Sequence, residues 1–127
     1  MNSFRSPLGR VRGLGTARSG VRHWWQQKVT AIANLFLVLW FLVSVAMLAG
    51  ADHAAIIWWL SDPLTATLLV ALVLSTFWHL RLGLQTIVED YVHDEAMKLG
   101  ALVLITLGCA GLAVFAIISL FKISFGA

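Results

Sequence analysis

Three long apolar stretches divide this chain. Val29 to Gly50 and Leu99 to Phe121 contain no charged residue, and each exceeds the roughly 18 residues that mark a membrane-spanning helix. Leu64 to Val88 is also long enough, but His79 and Arg81 interrupt it. Asp62-Pro63 marks its start, because proline suits a first helical turn and an acidic residue suits the position before it. Backbone groups in lipid have no water to bond, so each stretch is expected to be a helix. The expected fold is all-α: a basic segment at 1–28, then three transmembrane helices in one domain at 29–127. Ala51 to Ser61 is the expected loop between the first and second spans.

Composition agrees with that pattern. Apolar residues make up 60% of the 127 positions and charged residues 12%, against roughly a quarter charged in soluble domains. The net charge of +3 does not point to nucleic acid, because Arg5, Arg10, Arg12, Arg18, Arg22 and Lys28 all precede the first apolar run. That placing is a topological signal. With the N-terminus cytoplasmic, these six cations, Lys98 and Arg81 fall on or near the inner side, and only Lys122 lies outside. The C-terminus is then expected outside, in the periplasm. Trp24-Trp25 and Trp58-Trp59 fit the two aromatic belts. The basic start, with no acid before Asp52, also suits a mitochondrial transit peptide. A bacterial cytoplasmic membrane is the expectation, and a mitochondrial inner membrane the alternative.

One cysteine, Cys109, excludes an internal disulfide and any multi-cysteine metal site. No P-loop, Gly-rich dinucleotide turn or nucleophile elbow occurs, and the loops are too short for a soluble catalytic domain. Any chemistry therefore sits in or beside the membrane, in company with other chains. An ionisable side chain within a span costs about 3 kcal/mol for arginine and is a functional hypothesis by default. His79 fits two roles from its position: a metal or haem ligand, or a hydrogen-bonding tie to a neighbouring helix. Ser75 lies one turn back on its face, and Gly83 one turn on leaves space for a bulky planar group. His23, His53 and His93 all fall in flanks or loops, so an axially bound haem would draw its second histidine from another chain. Arg81 is near enough to the inner interface to snorkel there. Beyond the span, Glu89-Asp90-Tyr91-Val92-His93-Asp94-Glu95 is either a solvated acidic turn or a docking and proton-handling surface. In the third span Gly100, Gly108 and Gly111, with Ala110 and Thr106, form small faces for close packing.

The spacing His79-x-x-x-Gly83-x-x-x-x-x-x-Asp90-Tyr91-Val92 ends the second of the three spans, and Ser19-Gly20 precedes Lys28-x-Thr30-Ala31-Ile32 at the first. Together these resemble the hydrophobic anchor of succinate dehydrogenase (respiratory complex II), in particular its D-type cytochrome b556 small subunit. The resemblance implies two anchor chains that share one haem b between them and bind ubiquinone near the inner edge of the bilayer. It further implies partners in a second haem-binding anchor subunit, an iron–sulfur subunit and a flavoprotein subunit. Carried onto this sequence, His79 matches the axial haem ligand, Tyr91 the tyrosine that hydrogen-bonds a quinone carbonyl, and Asp90 the acid beside it. Lys28, Arg22, His23 and Arg81 are the candidates for the haem propionates or haem edge. Lys28 stands where the family usually has arginine, which keeps the charge but loses bidentate contact. This chain alone is expected to catalyse nothing. The alternatives are a fumarate reductase anchor working with menaquinone, or a non-redox small membrane subunit in which His79 is packing glue.

Overall fold

The computed structural model describes residues 7–8 and 18–126, and among these every regular element of the fold is helical. The elements are α1 (Arg18–Met47), α2 (His53–Ser61), α3 (Pro63–Tyr91) and α4 (Glu95–Ser124). Arg5, Arg10 and Arg12, which contribute to the expected charge asymmetry, lie outside the described residues. The three long helices are those long and apolar enough to cross a membrane. At 30, 29 and 30 residues and 1.5 Å per residue, each is about 45 Å long. That exceeds the ~30 Å hydrocarbon layer and reaches the headgroups on both sides.

Capping explains the boundaries. The Asp62 carboxylate accepts the Thr65 backbone N–H at 3.0 Å, with Pro63 just inside the helix, so α3 begins where its sequence indicates. Asp94 caps α4 through the Met97 N–H at 3.2 Å, and Glu95 follows in the first turn, where it complements the helix dipole. The helices run a few residues off the apolar stretches at most ends, and two differences are larger. Helix α1 starts at Arg18 rather than Val29, because a helix continues into the interface beyond the apolar residues that anchor it. The segment read as a loop, Ala51 to Ser61, is largely the nine-residue helix α2. Asp52 caps it through the Ala55 N–H at 2.9 Å. Gly50 turns the chain into it at φ +81°, a left-handed conformation that glycine adopts without strain.

Helix α3 is the middle of the structure. It packs against α1 on one side and α4 on the other, while α1 and α4 do not pack on each other. Helix α2 lies at one end against α3 and α4. The Ser124 hydroxyl of α4 donates to the Leu60 carbonyl at 2.7 Å, and Trp59 stacks on Trp40 of α1 with ring centroids 6.0 Å apart. An open row of helices buries little: among the described residues the apolar core is Leu69, Leu82, Cys109, Ala113 and Leu120. Phe36, Leu104 and Phe115 are all exposed, which lipid or another membrane chain accepts and water does not. The α3–α4 seam closes over Cys109 and Ala113. The glycines expected to serve close packing are turned elsewhere. Gly100, Gly108 and Gly111 are exposed, and a Cβ on any of them would meet nothing within 4 Å.

Candidate functional site

The α1–α3 seam is polar at mid-span. His79 Nδ1 lies 3.0 Å from the Thr30 hydroxyl. That hydroxyl also lies 2.8 Å from the Gln26 carbonyl and 3.1 Å from the Gln27 carbonyl, on its own helix. The Ser75 hydroxyl reaches the Thr30 carbonyl at 3.4 Å, and Thr76 reaches the Asn34 side chain at 3.4 Å. A helix turns about 100° per residue, so Ser75 and Gly83 each stand about 40° from His79 and share its stripe. Position 83 is open: a Cβ there would meet no atom within 4 Å. His79 itself is half-buried.

The other expected contributors divide by face. His23 lies two turns before Thr30 on nearly the same side of α1. Its Nε2 is shielded from solvent and has no hydrogen-bond partner among the described residues, an arrangement that costs energy unless a further group bonds it. Lys28 is exposed on the far side of α1 and sits over Trp24, 5.8 Å from the ring centroid. Arg22 is exposed. His23 thus shares the Thr30 side of α1, while Lys28 faces away from it and Arg22 is exposed.

Arg81 faces the other way. Two residues past His79 is about 200° round the helix, and there its Nε donates to Thr106 of α4 at 3.1 Å. Its guanidinium lies 5.4 Å from the Trp78 ring centroid. It closes one end of a cavity of about 440 Å³ between α3 and α4, whose other walls include Leu74, Phe77, Ala113 and Ile117. Sequence reasoning placed Arg81 near the inner interface and missed its partner, because the rotation of α4 decides whether Thr106 meets it.

Asp90 and Tyr91 complete α3. Asp90 lies eleven residues past His79, which returns it to the His79 stripe about 16 Å further along the axis. Both are exposed, Tyr91 at 77%. The acidic run is shared between elements. Glu89 accepts from Gln85 at 2.9 Å, Asp94 caps α4, and Glu95 lies 3.9 Å from Lys98. Neither Asp90 nor Tyr91 spends its side chain on a hydrogen bond among the described residues, so both remain available to a partner. No group of three or more His, Cys, Asp or Glu among the described residues is placed to hold a metal ion.

A family model described as the succinate dehydrogenase/fumarate reductase transmembrane subunit matches residues 2–121. The chain is 32% identical over 95 residues to the succinate dehydrogenase hydrophobic membrane anchor subunit of Rickettsia bellii, covering 75% of this chain and 76% of the relative. It is 31% identical over 91 residues to the succinate dehydrogenase membrane anchor subunit of Reclinomonas americana, covering 69% and 76%. The corresponding Coxiella burnetii anchor subunit is 28% identical over 106 residues, covering 80% and 89%. No solved structure gives a significant match.

Proposed function

Because this chain belongs to the succinate dehydrogenase/fumarate reductase transmembrane subunit family, we propose that it is the hydrophobic membrane anchor of a succinate dehydrogenase. Its N-terminus then lies in the cytoplasm and its C-terminus in the periplasm of a bacterium. The relatives' names favour succinate dehydrogenase over fumarate reductase. The observation that carries the reading is the mid-span imidazole of His79, tied to α1 by one nitrogen beside an open glycine.

These residues fit a haem b. His79 would hold the iron through Nε2, Gly83 would leave room for the macrocycle, and the Nε2 of His23, without a hydrogen-bond partner among the described residues, would suit a polar edge of the group. When bound, the haem supplies one-electron exchange at its iron. The remaining described histidines, His53 at the start of α2 and His93 in the α3–α4 turn, are far from His79 along the helices, so a second histidine for the group would come from a second anchor subunit. That subunit also covers apolar surface that the open row of helices leaves bare.

Tyr91 and Asp90 serve the quinone. Ubiquinone takes up two electrons and two protons to become the quinol. Electrons from succinate reach it through the flavoprotein and iron–sulfur subunits docked at the cytoplasmic ends of the helices. The Tyr91 hydroxyl donates to a quinone carbonyl where negative charge develops. Asp90, exposed on the adjacent position, holds the hydrogen-bonded path by which a proton arrives. Purification of the tagged chain from its native membrane tests this function. Co-purifying flavoprotein and iron–sulfur chains, a reduced b-type haem band and succinate-driven ubiquinone reduction are expected. A chain that purifies with none of the three is not this anchor.

A further inference from the structure

We infer that Thr30 is a positioning residue for His79: its hydroxyl fixes the imidazole with the proton on Nδ1 and leaves Nε2 as the free lone pair. The inference rests on the haem reading above and adds a residue to it. The assignment follows from what surrounds one oxygen. Thr30 Oγ1 lies 2.8 Å from the Gln26 carbonyl, 3.1 Å from the Gln27 carbonyl and 3.0 Å from His79 Nδ1. A hydroxyl has one proton and two lone pairs, and a carbonyl oxygen can only accept. If Thr30 donated to Nδ1, its oxygen would face two carbonyl oxygens with lone pairs opposed. Donation back to the nearer Gln26 carbonyl, which has a second lone pair beyond its helical bond, removes that conflict, and a lone pair of Oγ1 then accepts Nδ1–H from His79.

Two consequences follow for the ring. Nε2 carries no proton, so forming an axial bond there releases none. The N–H···O bond also sets the plane of the imidazole and strengthens it as an electron donor to a bound metal, as partners behind a ligating histidine do. A stronger donor ligand favours the ferric over the ferrous iron, and removal of the hydroxyl is expected to raise the haem midpoint potential. Loss of such a partner typically changes metal affinity ten- to a hundredfold. A tenfold change confined to one oxidation state corresponds to about 59 mV for one electron.

The test uses the assembled complex, with redox titration of the b-type band and the low-spin ferric electron paramagnetic resonance spectrum. Thr30→Val keeps the branched shape and removes the oxygen; it is expected to raise the potential and shift the g values. Thr30→Ser is expected to match the wild type. Should Thr30→Val not assemble, Thr30→Ser and Thr30→Ala differ only in the oxygen and carry the same comparison. A wild-type complex with no haem defeats the haem reading itself. A haem whose potential and g values are the same with and without the hydroxyl overturns the role of Thr30 alone.

Discussion

Replacing Tyr91 by phenylalanine removes one hydroxyl and keeps the ring. Tyr91 is 77% exposed at the last position of α3, and its hydroxyl makes no hydrogen bond among the described residues. The chain's own stability therefore has nothing to lose from the change. Any effect must come from a group outside it. A donor aimed at a developing oxyanion is worth about 2.7–4 kcal/mol where water is excluded. Tyr91 stands at the membrane edge, where water and donors from other chains can partly replace it, so about 1.4–2.7 kcal/mol is the expected loss. At about 1.36 kcal/mol per tenfold, succinate-driven ubiquinone turnover should fall roughly ten- to a hundredfold. Succinate oxidation by an artificial acceptor that takes electrons from the soluble subunits should be unchanged, as should the haem spectrum. Wild-type quinone turnover together with wild-type affinity for a quinone-site inhibitor in Tyr91→Phe would show that the residue is an interfacial anchor only.

Three further outcomes are expected. A C-terminal alkaline phosphatase fusion should be active and a C-terminal fluorescent reporter that matures only in the cytoplasm should be dark; the opposite pattern contradicts the topology. Gly83→Ala should leave this chain's packing intact, because a Cβ there meets nothing within 4 Å. Gly83→Leu should cut the haem content of the complex several-fold, and unchanged content would mean that nothing lies over that glycine. Thr106→Val strips the acceptor from Arg81 Nε, now 3.1 Å away, and should destabilise the α3–α4 seam by about 1–2 kcal/mol. A thermal melt of the detergent-solubilised complex that does not move would show that Arg81 bonds elsewhere.

The spans and several of their ends were legible because they depend on local chemistry. Asp62-Pro63 starts α3 through an acidic cap and a proline whose missing N–H costs nothing there, both visible in the letters. Helix α2 carried its own signal, Asp52 before an apolar run from Ala54 to Leu60, but a run that short does not register as a span. Within α3 the sharing of one stripe by Ser75, His79, Gly83 and Asp90 follows from helical spacing. What spacing does not contain is the rotation of one helix against the next. That rotation sets Thr30 rather than Lys28 against His79, turns Arg81 to Thr106, and points Gly108 and Gly111 away from the α3–α4 seam. The same limit explains why Lys28, Arg22, His23 and Arg81 stood as equals in sequence, although Arg81 turns to α4 and Lys28 faces away from Thr30.

The central claim is that His79 holds a haem for the complex, and the dithionite-reduced absorption spectrum of purified His79→Ala complex tests it most directly. The account predicts loss or marked weakening of the b-type band, with a shifted midpoint potential for any haem that another ligand retains. A band of wild-type intensity and wild-type potential would contradict it, and would leave His79 as a hydrogen-bonding tie between α3 and Thr30 of α1.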